Sequence, residues 1–137
     1  MKVIMYIFGG LILLVVASVI YNSSTKETEN PQTDSVDKLS YSQISEEVKM
    51  DQAVLYDVRT AAEFAEGHAA DAVNFDLQLM QAGQLPNIDK NTKIYVYCRS
   101  GNRSAQAASL LKQAGFTNIT DLGGLSDIQN LGAELVK

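Results

Sequence analysis

Cysteine is almost absent: the 137 residues contain one, Cys98. A lone thiol excludes an intrachain disulfide and any structural zinc site built from several thiolates. Basic residues are scarce and never form a run, with 11 Lys and Arg against 16 Asp and Glu for a net charge of −5. Nucleic acid is excluded as a partner on that ground, because its binding rests largely on Lys and Arg neutralising phosphates. Histidine occurs once, at His68, and proline twice. Beyond Asp37 there is no internal repeat and no low-complexity tract. What remains is ordinary: 46% apolar and 20% charged residues, values of a globular chain rather than of a disordered polymer or a multi-span membrane protein. The length suits one domain.

Charge is also missing from one stretch altogether. Val3 to Tyr21, VIMYIFGGLILLVVASVIY, runs for 19 uncharged residues. As a helix at about 1.5 Å per residue it nearly matches a hydrocarbon layer of ~30 Å. A cleaved signal peptide would need small residues ahead of the cut, whereas Ala17-Ser18-Val19 and Tyr21-Asn22-Ser23 supply a β-branched or aromatic residue there. Residues 1–21 are therefore expected to be an uncleaved membrane anchor, with a cleaved signal and a secreted product as the alternative. Lys2 precedes the run, and Lys26 after it is outnumbered by Glu27 and Glu29. Positive-inside reasoning places the remainder on the extracytoplasmic, periplasmic side. Residues 22–38, polar and without an aromatic residue, read as a flexible linker, and residues 39–137 as the globular domain.

Within that domain, Ser42 to Met50 carries Ile44 and Val48 at helical spacing, and Ala53 to Val58 is a short strand. Thr60 and Glu63 form a capping box that opens the next helix. Ala72 to Phe75 reads as a short strand, and Leu77 to Ala82 as a short helix stopped by Gly83. Lys93 to Tyr97 is the clearest strand, ending at Cys98. A turn-rich stretch follows, then a helix over Ala105 to Ala114 whose first turn lies near Arg103, a strand over Thr117 to Leu122, the Gly123-Gly124 turn and a weak final helix. Alternation of this kind predicts an α/β domain with a mainly parallel central sheet covered on both faces.

Ligands in such sheets bind beyond the carboxyl ends of strands, which is where Cys98 falls. A buried cysteine filler belongs inside an element. Cys98 instead stands between an apolar strand and the polar loop Arg99-Ser100-Gly101-Asn102-Arg103-Ser104. The predicted geometry turns the loop amides, and those of the following helix, toward the sulfur. Helix N-termini favour anions, and two guanidinium groups add to the effect. A thiol of ordinary pKa about 8.5 is thereby lowered, which makes it a nucleophile. Four residues separate Cys98 from Arg103. A cysteine-dependent phosphatase needs five to surround a phosphate, so this tighter ring suits a smaller anionic adduct such as a persulfide.

These residues resemble the rhodanese, or thiosulfate sulfurtransferase, family from about Leu39 onward. The likeness rests on Asp57-Val58-Arg59, Glu63-Phe64, Gly67-His68, Ala72, Asn74, the loop from Cys98 to Ser104, and Gly123-Gly124. It implies a single rhodanese-like, doubly wound α/β domain, here preceded by a transmembrane helix. It further implies that Cys98 is the catalytic residue, taking sulfane sulfur from a small anionic donor such as thiosulfate and passing it to cyanide or another thiophilic acceptor. Arg99, Ser100, Gly101, Asn102, Arg103 and Ser104 match the substrate-binding cradle, and no metal or organic cofactor is implied. The Gly-Gly-Leu-x-Asp-Ile ending looks like the small periplasmic rhodaneses of the phage-shock type. Ala69 and Asp71 depart from the usual isoleucine and second glycine after Gly67-His68, so that turn is expected to be built differently. Ile128 stands where tryptophan is common.

Arg99 and Arg103 are assigned to attracting the donor and stabilising the sulfur anion, with an acidic body focusing anions on a basic loop. His68 reads as structural, since a preformed thiolate needs no base. Asp57, Arg59 and Glu63 read as structural support, with an Arg59–Glu63 ion pair tying strand to helix. Glu46, Glu47, Asp51, Asp89 and Asp127 are dispersed surface acids rather than metal ligands. Beside the enzyme stands a second reading, a non-catalytic rhodanese-like module that carries or senses sulfur or binds a protein.

Overall fold

The structure, a computed structural model, describes residues 39–137; the expected anchor and linker lie outside them. Among the described residues no helix is long and apolar enough to cross a membrane.

The described residues form five helices and six strands: α1 Tyr41–Lys49, β1 Ala53–Asp57, α2 Ala61–Glu66, β2 His68–Ala69, β3 Val73–Asn74, α3 Leu77–Gln81, β4 Lys93–Tyr97, α4 Asn102–Gln113, β5 Ile119–Asp121, α5 Leu125–Asn130 and β6 Leu135–Val136. Strands β3, β1, β4 and β5 form one sheet in that order, all parallel. The chain runs outward from β1 to β3 and then crosses to the other side of β1 for β4. The switch in direction lies between β1 and β4, where open α/β sheets accept ligands.

Both faces of the sheet are buried, as the continuous apolar character of β4 requires. Tyr56, Ile94 and Val96 pack against Leu77 and Met80 of α3 and Ala107 and Leu111 of α4. Leu55, Tyr95 and Tyr97 pack against Tyr41 and Ile44 of α1 and Ile128 of α5. Ile128, at the position where the resemblance implies tryptophan, is fully buried.

Local chemistry sets the boundaries. Ser40 and Gln43 cap α1 reciprocally, and Thr60 and Glu63 do the same for α2, each satisfying two amides the helix cannot. The helix expected from Ser42 thus starts one residue earlier. Strand β5 is shorter than the run Thr117 to Leu122, and β3 shorter than Ala72 to Phe75. Asp71 holds φ at +65°, the left-handed conformation that favours glycine. The departure at this position therefore changes the residue but not the glycine-type conformation. Its carboxylate accepts from Ser45 Oγ at 2.6 Å. A second, two-stranded antiparallel sheet joins β2 to β6 and has no counterpart in the expected elements.

One buried charge pair anchors the switch point. Asp57 is fully buried and Arg59 nearly so. Arg59 donates from Nη2 to Asp57 Oδ2 at 2.6 Å and from Nε to the same carboxylate at 2.9 and 3.0 Å. Tyr97 donates its hydroxyl to Asp57 at 2.7 Å and accepts from the Ala69 amide at 3.0 Å. Asp57→Ala leaves Arg59 buried without a counter-charge, so it is expected to lower unfolding free energy by about 3–5 kcal/mol. Lys93→Ala removes a partly exposed pair with Glu47 and is expected to cost at most about 1 kcal/mol. Urea denaturation of the two variants checks the contrast.

Candidate active site

Strand alternation aims Cys98. It continues the face of Ile94 and Val96, so its side chain enters the layer beneath the first turns of α4. The residue is completely buried among apolar neighbours, yet the turn that follows folds back over it. The Gly101 amide donates to Sγ at 3.0 Å, and Ser104 Oγ lies 3.7 Å from it. Burial by itself pushes the thiol up. Backbone amides of Ser104, Ser100 and Gly101 together with the Ser104 hydroxyl outweigh that, and the net shift is below the ordinary thiol value.

Ser104 has one hydroxyl proton and three acceptors within reach. Gly101 O lies at 2.9 Å and Gly123 O at 3.3 Å from its oxygen. Beside a neutral thiol, the S–H donates to Ser104 and the hydroxyl donates to a carbonyl. Beside a thiolate, the hydroxyl proton turns to sulfur.

Glycines make the curl possible. Gly101 has φ +92°, a left-handed conformation that costs an L side chain energy. Gly124 lies flat against the loop: a Cβ there would stand 2.7 Å from the Arg99 carbonyl oxygen and 3.0 Å from Ser100 Cα. Ser100 and Gly124 form an antiparallel bridge, Cys98 N donates to Gly123 O at 3.0 Å, and Leu125 N to Arg99 O at 3.2 Å. Gly123 and Gly124 are thus the outer wall of the cradle. Sequence reasoning saw them only as a turn, although their place in the family motif was the available signal.

The two loop arginines differ. Arg103 grips Glu63 with both terminal nitrogens, at 2.6 and 2.8 Å. The same carboxylate caps Thr60 at 3.1 Å. Arg103 and the Thr60 cap hold the Glu63 carboxyl down at about 2, against the opposing effect of burial. The expected Arg59–Glu63 pair does not form, because Arg59 is committed to Asp57 and donates its Nη2 to Gly67 O at 2.7 Å. Glu63 therefore ties α2 to α4. Arg99 is exposed, as is Ser100, and among the described residues its guanidinium has no ionic or hydrogen-bonding partner. Asn102 is exposed and accepts from Gln106 at 2.7 Å, directed along its own helix. His68 stacks on Phe64 with ring centroids 3.6 Å apart, and its Nδ1 lies 3.0 Å from Phe64 O. Beside the loop lies a cavity of about 260 Å³, lined in part by Arg59, Glu63, Glu66, Arg99, Leu125 and Leu135.

The Cys98 sulfur thus lies under backbone amides at a strand-to-helix turn. Residues 40–131 match the Rhodanese-like domain. The chain belongs to the rhodanese-like family. Among its relatives, the thiosulfate sulfurtransferase PspE of Escherichia coli K12 is 36% identical over 75 residues, which cover 53% of this chain and 70% of that protein. A sulfurtransferase of Allochromatium vinosum is 36% identical over 74 residues, covering 54% and 68%. The uncharacterized protein YqhL of Bacillus subtilis is 32% identical over 123 residues, covering 89% and 86%. In three dimensions the chain is similar to a solved rhodanese with anions from E. coli, at a TM-score of 0.54 and 31% identity, over 62% of this chain and 98% of that one.

Two outcomes follow from the site's electrostatics. Ser104→Ala removes a donor to the thiolate, so the pH midpoint of thiolate ultraviolet absorbance is expected to rise toward the ordinary thiol value. For Glu63, a folded pKa of about 2 lies below the unfolded value of about 4.3. Its contribution is then complete above the unfolded value and fades as pH falls toward 2. The stability deficit of Glu63→Gln against the native protein is expected to follow that course in urea denaturation at stepped pH.

Proposed function

We propose that this chain is a thiosulfate sulfurtransferase acting through a Cys98 persulfide. The observation that carries the reading is the Gly101 amide held 3.0 Å from Sγ within a ring of donors at the switch point of the sheet. Such a ring stabilises negative charge on sulfur before and after it accepts a second sulfur atom. The names of the sulfurtransferase relatives support it.

In the first half-reaction the Cys98 thiolate bonds to the outer sulfur of thiosulfate. The bond from that sulfur to the sulfonate sulfur breaks, and sulfite leaves with the electron pair. In the second, an acceptor such as cyanide bonds to the outer sulfur of the persulfide, whose S–S bond breaks to restore the thiolate. Arg99, the unpaired cation of the loop, attracts the dianionic donor. Arg103, neutralised by Glu63, positions the first turn of α4 so that its amides face sulfur. Asp57, Arg59 and His68 hold the surrounding frame. Because Cys98 is fully buried, loop residues Arg99 to Gly101 give way when donor meets sulfur.

That burial also favours a second reading, a module that holds sulfane sulfur without turning it over. The uncharged run from Val3 to Tyr21 supports tethering of the domain to a membrane, with its catalytic part on the periplasmic side.

The test is thiosulfate-to-cyanide transfer by the full chain in detergent. Thiocyanate is expected from the native protein and none from Cys98→Ser. Thiosulfate alone is expected to add about 32 Da, one sulfur atom at the persulfide level of thiol chemistry, to the native protein only. A stable adduct without thiocyanate would select the carrier reading, and activity surviving in Cys98→Ser would end both.

A further inference from the structure

The outer wall of the cradle is itself held by two carboxylates. Asp121 Oδ1 accepts from the Gly123 amide at 2.9 Å, and Asp127 Oδ2 accepts from the Gly124 amide at 2.7 Å. Both acids are exposed, as the sequence predicts for Asp127, but the Asp127 carboxylate is turned back onto the glycine pair. A Cβ on Gly123 would stand 2.5 Å from Asp127 Oδ2. The carboxylate therefore occupies the space that a side chain at this position would take.

The Gly124 amide and the Gly123 carbonyl belong to one peptide unit. That unit is planar and trans, so its N–H and C=O point in opposite directions, and an acceptor that fixes one end fixes the other. Asp127 holds the N–H end. At the carbonyl end, Gly123 O accepts from the Cys98 amide at 3.0 Å and lies 3.3 Å from Ser104 Oγ. One peptide plane thus links an exposed carboxylate to the backbone of the buried cysteine and to the hydroxyl beside its sulfur. Gly124 also bridges to Ser100, so rotation of the plane carries the loop with it. The same bond caps α5 from within, Asp127 being the third residue of that helix. A cap alone contributes stability and leaves the sulfur unaffected.

We propose that Asp127 is a positioning residue of the sulfur site: through the Gly123–Gly124 peptide it holds the Cys98 amide and the Ser104 hydroxyl where the cradle meets sulfur. The inference rests on the sulfurtransferase reading and names a residue that serves the site without touching substrate. Of the other charged side chains around the loop, Arg99 is exposed, while Arg103 is paired with Glu63 and Arg59 with Asp57. None of these side chains bonds to Gly123 or Gly124 among the described residues. Loss of the Asp127 charge acting only through space eases formation of the thiolate, because a like charge disfavours an anion. Loosening the peptide plane does the reverse, since the donors then drift from sulfur. The two effects have opposite signs.

The experiment reads the pH midpoint of thiolate ultraviolet absorbance in the full chain in detergent. Cys98 is its only thiol, and the Cys98→Ser chain serves as the blank. Asp127→Ala is expected to raise the midpoint by about 0.5–1 unit, the weight of one ordinary hydrogen bond. Ser40→Ala removes the cap of α1 and is expected to lower Tm without moving the midpoint. A midpoint in Asp127→Ala that stays at the native value or falls would overturn the proposal and leave Asp127 a helix cap. If that chain does not fold, Asp127→Asn decides on the same sign: its amide oxygen is a weaker acceptor for Gly124, so a smaller rise is expected, and no rise would overturn the proposal. Thiocyanate formation by the native chain is measured alongside. Its absence would end the sulfurtransferase reading while leaving the midpoint comparison intact.

Discussion

The site depends on one contact, the Gly101 amide pointing at Cys98 sulfur from 3.0 Å. An amide can meet the sulfur of a residue three positions earlier only if the chain reverses within the intervening turn. Gly101 permits the reversal with φ at +92°. Gly124 permits it from outside, because any side chain there would collide with the loop's own backbone. The sulfur in turn is fixed by β4, whose alternation sends Ile94, Val96 and Cys98 to the same face. Helix α4 begins directly after the turn, so its first amides add to those of the loop. Sheet register, two glycines and a helix start therefore converge on a single atom.

Charge pairing divides the surrounding polar groups into frame and function. Asp57, Arg59 and Tyr97 form a closed network in which the carboxylate receives donors from the guanidinium and the phenol. The resulting burial stiffens the ends of β1 and β4, between which the sheet changes direction. Glu63 works at a different point. It caps α2 through Thr60 while holding Arg103, so a residue in the first turn of one helix fixes the first turn of another. The cation beside the sulfur thus serves orientation, and its charge is largely spent.

Much of this was legible in the sequence, and the reasons are local. The apolar run Lys93 to Tyr97 followed by glycine-bearing turn residues and an alanine-rich stretch specifies strand, loop and helix through nearest-neighbour chemistry alone. The Thr60–Glu63 capping box is likewise a pattern spanning four positions. The partners of Glu63 and Arg59 were not legible, because Glu63 and Arg103 stand 40 positions apart. Both carboxylates stood near Arg59 in the chain, and only the buried geometry at the end of β1 decides for Asp57. The pairing of β2 with β6 was hidden for another reason: two residues per strand carry no period. Cys98 itself was read correctly as the residue after β4, but its complete burial was not foreseen. Polar neighbours in sequence argue against a buried filler, whereas alternation along the strand turns the side chain inward.

Electrostatics at long and short range act in opposite directions on an anion. At a net charge of −5 the chain repels a dianion at a distance, within the ~8 Å over which such fields persist at physiological salt. The expectation of a basic loop focusing anions assumed two free arginines. With Arg103 cancelled by Glu63, one remains, and Glu66 stands near it on the same cavity wall. Attraction through space is therefore weak, and discrimination falls to contacts made only at the loop. Backbone amides suit that task, because they are fixed dipoles that lose little by reorganisation and carry no net charge to draw in unrelated anions. Amides arranged in this way favour a small, concentrated negative charge on sulfur.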